Sequence, residues 1–574
     1  MSPIHDDAGL LQLKNLRGKL HAAMQSSGEF LGEFLPETDL LDLVHKDTIA
    51  TILQAVPASR NRNRQADDDV LADYFAQHAL KVFVILVRTG LLHHVEYLHK
   101  KHVQDKMLPI KLAWRNYSRD AWDVGSYGEG TDDEEVRQAF GCIDDADNPW
   151  EDDTIERFVD AQWPLVPARF YKTQFKYNFP RQIRLPFTWA GKDVNPGSFS
   201  LVKEKCVHAH YFPKDLDIAV PVDQENNFRV AIKKLQKSGP FELVAQREVA
   251  MLELTRRLRH NHLIEAIAYY SIGQDHYLMF PWAEMGNLWD FWEKNGKLGP
   301  TAGKEEVVWM VNQIAGLVDA VEKLHDSNCR HGDLKPSNIL CFKTESDHLK
   351  PRLVITDVGV AKVHSEHTTD RDSTREIQAT TRYEAPELSI HRHGPISRRY
   401  DIWSLGCIFL EFMIWILYGT EELWRLRQHT ERFFKTEDTN GEMTAHLSQE
   451  VEEVFAYINN DWRCAKEIAI QRLVDLIRHK LLVVELDGRI SAEAMGKSMK
   501  DIVNGLTRDD EPIEAIVIEA PDNAPIPPGP FSSTEVSRIA QNKEVPRVEG
   551  NLLGSIQNVG VNIKKRLFVL APRW

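Results

Sequence analysis

The sequence predicts an α+β chain with three parts: a helical N-terminal domain, a small strand-rich lobe and a larger helical lobe. Three observations predict it. Apolar residues recur at three- and four-residue spacing between Leu40 and Leu98. From Leu185 to Leu235 the texture changes to alternating or short apolar runs. Helical periodicity then returns from Glu242 to Leu506, and strands followed by helices define an α+β build.

Taken in order, residues 1–115 read as the helical domain. Leu40–Leu53 and Ala72–Leu98 are its two stripes, the second carrying Leu80, Val82, Phe83, Ile85, Leu86, Leu91 and Leu92. Residues 116–184 read as an acidic linker and lead-in, because TDDEEV at 131–136 and DDADNPWEDD at 144–153 are solvated compositions. The small lobe follows over 185–283. There Phe199–Val207 alternates, and Phe228–Ile232 is a short apolar run ending at Lys233-Lys234. The large lobe occupies 284–506. Within it Ile402–Tyr418 is nearly all apolar and approaches the length of a membrane span. Ser404 and Glu411 interrupt it, and Arg398, Arg399 and Asp401 precede it, so a buried core helix is expected. Residues 507–574 form a tail; DDEPIEAIVIEAPDNAPIPPGPF at 509–531 is rich in proline and acid and reads as extended or disordered.

The formal net charge of −15 argues against broad nucleic-acid binding and against adsorption to anionic membranes. The six cysteines stand singly with no CxxC pair, which indicates neither a zinc site nor a disulfide framework. Reduced thiols in a cytoplasmic or nuclear protein are the expectation. Met1–Gly32 has no charged head leading into an apolar stretch, so it does not read as a signal peptide.

Three motifs carry chemistry. Val230-Ala231-Ile232-Lys233 is a strand ending in a lysine whose ammonium suits the α- and β-phosphates of a nucleotide. A buried lysine needs a counter-charge, and Glu248 on the following helix offers one, with Glu242 and Glu253 as alternatives. By itself this pattern is common. The second motif, His331-Gly332-Asp333-Leu334-Lys335-Pro336-Ser337-Asn338, is specific. Asp333 is placed to take or orient a hydroxyl proton, Lys335 to neutralise a transferring phosphoryl group, and Asn338 to offer an oxygen to a hard cation. The third follows a short hairpin: Leu353-Val354-Ile355-Thr356 ends in Asp357-Val358-Gly359, where a carboxylate suits Mg²⁺ bridging ATP oxygens.

These motifs resemble the eukaryotic protein kinase superfamily, and the resemblance extends through Ala385-Pro386-Glu387, Asp401-Ile402-Trp403-Ser404-Leu405-Gly406 and Arg489. It implies a bilobal protein kinase-like fold, ATP and Mg²⁺ as cofactors, and protein substrates. By resemblance, Asn338 and Asp357 hold metal. Lys233, Glu248, Gly197 and Val202 contact the nucleotide, and Ala231 and Leu340 sandwich its adenine. Phe280 is the gatekeeper of a hinge formed by Pro281, Trp282 and Ala283. Pro281 has no N–H and only accepts there. Lys335, two residues after the catalytic aspartate, and Thr380, which would bridge to Asp333 and Lys335, are the serine/threonine pattern. Arg489 is expected to pair with Glu387. HGDLKPSN with DVGVAKVH and FPWAEMGNL behind a helical domain looks like a group of fungal kinases, in which that domain would meet a regulatory partner.

The sequence departs from the family pattern in three places. The glycine-rich loop keeps only Gly197, in Asn195-Pro196-Gly197-Ser198-Phe199-Ser200, so weaker ATP binding is expected. Gly332 stands where the family has an arginine that pairs with a phosphorylated activation segment, so activity should not need that phosphorylation. Val358 replaces a phenylalanine. Three readings follow: an active serine/threonine kinase, a pseudokinase scaffold supported by the poor glycine loop, and a small-molecule kinase, which the Ala-Pro-Glu element disfavours.

Overall fold

In the computed structural model, residues 4–26, 32–54, 64–114, 122–127, 131–141, 149–197, 200–235, 241–296, 303–344, 347, 349–358, 381–390, 396–439, 442–464, 469–506 and 529–531 are described. The chain forms two compact units. The first comprises Met1–Lys192, Lys203–Ile232 and Ala268–Met279; the second comprises Asp193–Val202, Lys233–Ile267 and Phe280–Trp574.

In the first unit, α1 (Ile4–Ala22), the short antiparallel pair β1 (Gln25–Ser26)–β2 (Glu33–Phe34), α2 (Glu37–Leu43), α3 (Lys46–Leu53), α4 (Arg64–His78), α5 (Leu80–Thr89) and α6 (Val95–Lys100) occur in order, and the core includes Leu16, Leu20, Ile49, Phe75 and Phe83. The stripe expected over 72–98 is real but broken, since α4 and α5 meet at 111°. The carboxylate of Asp105 accepts the N–H groups of Lys81 at 2.9 Å and Val82 at 3.0 Å, which lie in the unsatisfied first turn of α5. Gly90, left-handed at φ +77°, ends α5.

The linker reading of 116–184 is overturned. Strands β3 (Ile110–Trp114) and β4 (Trp122–Ser126) form a hairpin, and α7 (Asp133–Phe140) and α8 (Asp152–Ala161) follow. The acidic residues serve helix starts: Asp132 accepts from the Glu134 N–H, and Glu151 opens α8 with a capping box to Thr154. Between them Val136, Phe140, Trp150, Ile155 and Phe158 are buried in the same core as α1–α6. The N-terminal domain therefore does not stop at 115, and it is not purely helical.

The sheet likewise begins before Leu185. Strand β5 (Lys176–Phe179) runs parallel to β9 (Ala268–Ile272), with Tyr177 opposite Tyr270. With β6 (Phe187–Gly197), β7 (Ser200–Val207), β8 (Phe228–Leu235) and β10 (Asp275–Pro281) it makes a six-stranded sheet in the order β5-β9-β10-β8-β7-β6. Glu37 ties the helices to residues beside this sheet: its carboxylate meets Lys81 Nζ at 3.2 Å, Arg169 Nη2 at 2.8 Å and His210 Nε2 at 2.9 Å. Its own N–H donates to the Tyr211 hydroxyl at 2.8 Å.

The second unit holds α9 (Phe241–Leu258), α10 (Leu288–Lys294), α11 (Lys304–Asp326), the hairpin β11 (Ile339–Phe342)–β12 (Arg352–Ile355), α12 (Pro386–Ile390), α13 (Arg399–Tyr418) and α14 (Thr420–His429). Beyond them come the hairpin β13 (Phe434–Thr439)–β14 (Glu442–Leu447), α15 (Gln449–Asn460), α16 (Ala469–Leu476) and α17 (Ala492–Leu506). Helix α13 is the expected core helix, with every residue from Tyr400 to Tyr418 buried. It is long and apolar enough to cross a membrane, but in this structure its apolar window is wholly enclosed by protein. The tail expectation needs one correction. Phe531 is buried, its N–H donates to Glu422 at 3.0 Å, and its ring stacks on His429. Apart from 529–531, residues 507–574 lie outside the described residues.

Candidate active site

Lys233, the lysine expected to meet phosphates, comes from β8. Val230 to Lys233 are buried in succession on this strand, and Lys233 is only 6% exposed, so its ammonium needs a partner. The described partner is Asp357, with Nζ to Oδ1 at 2.8 Å. Glu248 lies on α9, but its side chain is outside the described residues.

Asp357 is delivered by the hairpin. Register pairs Ile339 with Ile355, and the Thr356 N–H donates to the Asn338 carbonyl at 2.9 Å. Asn338 just before β11 and Asp357 just after β12 therefore arrive side by side. Asp357 sits at φ +59°, a strained backbone for a residue with a Cβ, and the Lys233 ion pair holds its side chain there. Burial raises the Asp357 carboxyl, but the Lys233 ammonium, aided by His331 and Lys335, pulls it below the usual carboxylate range, so it is ionised at neutral pH. Val358 is buried in the large-lobe core.

The loop 331–338 is fixed from beneath. Asp401, buried in the first turn of α13, accepts the N–H of His331 at 2.9 Å, the N–H of Gly332 at 2.8 Å and His325 Nε2 at 2.9 Å. Burial raises its carboxyl, and these donors more than reverse that. The Asp333 N–H donates to His331 Nδ1 at 3.2 Å, so His331 carries its proton on Nε2 and donates it to the Thr356 carbonyl at 2.8 Å. Gly332 has φ +77°, where an arginine would cost about 1–2 kcal/mol, so the departure from the family residue fits its backbone. Above this base, Asp333 Oδ2 accepts from Asn338 Nδ2 at 3.0 Å and meets Lys335 Nζ at 2.9 Å.

Lys233, Asp333, Lys335, Asn338 and Asp357 are thus brought together as the sequence predicts. Leu340 is buried on β11, and the stretch after the predicted hinge pairs with it: the Cys341 N–H donates to Gly286 at 2.8 Å. Phe280 and Pro281 end β10, and Phe280, Trp282 and Ala283 are buried. Ala231 is buried on β8, Val202 is half-buried on β7, and Gly197 closes β6. Thr380 lies outside the described residues.

The expected Arg489–Glu387 pair is two-pronged, with both bonds at 2.9 Å. Sequence reasoning missed a second anchor. Glu411 accepts from Arg382 Nε at 2.8 Å, from Arg427 Nη2 at 2.8 Å and from the Tyr383 hydroxyl at 2.7 Å. A lone carboxylate inside the apolar run 402–418 was the signal that could have found it.

Two oxygen-bearing side chains beside a buried ammonium, with a carboxylate held next to a lysine, match the arrangement that the sequence motifs lead one to expect on a protein kinase-like fold. The comparisons agree. Residues 219–499 match the family model for the protein kinase domain. A 180-residue stretch is 31% identical to serine/threonine-protein kinase 16 of Homo sapiens, covering 29% of this chain and 55% of that protein. Another of 304 residues is 27% identical to cyclin-dependent kinase 8 of Caenorhabditis elegans, covering 50% of this chain and 45% of that protein. A third of 183 residues is 28% identical to serine/threonine-protein kinase ULK3 of Xenopus laevis, covering 32% of this chain and 35% of that protein. The matches thus span about half or less of these relatives' own lengths. The chain carries a protein kinase domain of the eukaryotic protein kinase superfamily.

Proposed function

We propose that this protein is an active kinase that transfers the γ-phosphate of Mg²⁺–ATP to serine and threonine hydroxyls of proteins. The observation that carries this reading is the Lys233–Asp357 pair at 2.8 Å beside the Asp333–Lys335–Asn338 cluster. The donor set fits magnesium: Asn338 spends its Nδ2 on the Asp333 carbonyl and carboxylate, which leaves its amide oxygen for a cation, and Asp357 is a second hard oxygen donor. A cation held by Asn338 and Asp357 would supply charge neutralisation at the phosphates. Lys233 binds and orients the phosphates. Asp333 takes the proton of the acceptor hydroxyl as the hydroxyl oxygen bonds to phosphorus and the bond to the leaving diphosphate oxygen breaks. Lys335 counters charge at the transferring group. The segment 381–390, held by Glu411 and Arg489, is assigned to protein substrate.

A Mg²⁺-dependent transfer assay on the full chain with a generic acceptor protein, followed by phosphoamino-acid analysis, tests the reading. Phosphoserine and phosphothreonine are expected, and Asp333→Asn should slow transfer by about 10²–10⁴-fold. Transfer that is unchanged by both Asp333→Asn and Lys233→Met would remove it. The glycine-poor loop around Gly197 favours a second reading, a pseudokinase scaffold, whose mark would be nucleotide binding without transfer. We place the protein in the cytoplasm or nucleus, supported by the unpaired thiols of Cys206, Cys329, Cys341, Cys407 and Cys464.

A further inference from the structure

The segment assigned to substrate carries a carboxylate that the phosphotransfer chemistry does not use. Glu384 stands between Tyr383 and Ala385-Pro386-Glu387. Both of its flanks are locked to the large lobe. The Tyr383 hydroxyl donates to Glu411 at 2.7 Å, and the Tyr383 carbonyl accepts from Ser404 Oγ at 2.8 Å. On the other side Glu387 is gripped by Arg489. The Glu384 N–H donates to the Thr381 carbonyl at 3.3 Å.

Its side chain is 17% exposed, enough to be reached and too little to be fully hydrated. Among the described residues, the charged groups acting on it are Arg432, at 3.8 Å, and Asp333. Arg432 is shared: its Nη1 donates to Ser389 Oγ at 3.0 Å, and its guanidinium lies over the Phe434 ring. Burial raises the Glu384 carboxyl, Arg432 opposes this, and the charge of Asp333 adds to the rise. Tyr400 lies in the field of both Glu384 and Asp333, and its ring stacks under Arg330, three residues before Asp333. A carboxylate on a fixed backbone, 3.8 Å from a single arginine that also serves Ser389, therefore lies within the electrostatic field of the residue that takes the acceptor proton.

We propose that Glu384 is a specificity-determining residue that selects protein substrates carrying lysine or arginine immediately beside the acceptor hydroxyl. This rests on the kinase reading above. A substrate cation there forms a charge-assisted bond with a partly desolvated acceptor and offsets its repulsion from Asp333. An acidic residue in the same place adds a third carboxylate, which the site rejects.

The test uses the full chain and serine peptides that carry Lys, Ala or Glu on either side of the acceptor. Initial rates with Mg²⁺–ATP and peptide binding by fluorescence anisotropy are both measured. Wild type should favour the Lys peptide over the Glu peptide by about tenfold or more in kcat/KM. Glu384→Gln, which keeps the shape, should bring the ratio towards one, and Glu384→Lys should invert it. Efficient transfer with a wild-type ratio near one, or a ratio that survives Glu384→Gln, overturns the inference and leaves the kinase reading standing. No transfer, but Lys-selective binding that Glu384→Gln erases, supports the selectivity and removes the kinase reading. Binding to none of the peptides overturns the inference.

Discussion

Each compact unit is tied by a carboxylate that gathers segments far apart in sequence, and the two ties are built differently. Glu37 meets Lys81, Arg169 and His210 with its side chain 26% exposed. Glu411 meets Arg382, Arg427 and Tyr383 with none of its side chain exposed. Both carboxyls lie below their ordinary value. For Glu37, burial raises it and Lys81 and His210 bring it down; for Glu411, a larger enclosure is overcome by Arg427 and Arg382. Water shares the load at Glu37 and is excluded at Glu411. The lesson is that similar ion-pair inventories carry different consequences, since a buried pair is costly to break and an exposed one is replaceable.

The largest effect is expected at Glu411. Glu411→Gln strands two guanidinium groups and should lower large-lobe stability by about 3–5 kcal/mol, read from denaturant unfolding. A triple replacement of Glu411, Arg382 and Arg427 by Met should recover most of that loss. If it does not, Glu411 is more than a neutralised buried charge.

An intermediate effect is expected at Asp105, which shares Lys81 with Glu37. Burial pushes its carboxyl up to about 6 from the usual 3.8, despite the N–H bonds from Lys81 and Val82. Because the folded state holds the proton more tightly, stability falls as pH rises from about 4 to about 6 and levels off above it. Asp105→Asn keeps an oxygen for both N–H groups and should remove that slope, which unfolding midpoints at pH 4.5 and pH 7 would show. The smallest effect belongs to Glu37→Gln, about 1 kcal/mol and reduced further in high salt. A loss as large as that at Glu411 would erase the contrast between the two ties.

Much of the candidate site was legible because its residues are encoded in short segments. The octet 331–338 and the strand–Asp357 junction each specify a local backbone, and one hairpin register brings them together. Helix α13 was legible because an apolar run with few charges has few places to go except a core. What escaped depended on distant partners. The first turn of α5 is capped by the distant Asp105, and the Glu411 node needs Arg382 and Arg427. Residues 131–161 were misread because acidic composition hid a helical stripe of Val136, Phe140, Ile155 and Phe158, whose acids were capping the helices. The Lys233–Asp357 pair joins residues 124 positions apart, which no sequence spacing expresses, while the Glu248 side chain lies outside the described residues.

The seating of Phe531 between Glu422 and His429 has a consequence for whatever follows it. The chain leaves that point from the face of α14, not from the end of α17. Any recognition motif carried farther along is therefore leashed to the large lobe. Tethering of that kind raises the effective concentration of whatever is carried against partners arriving from solution.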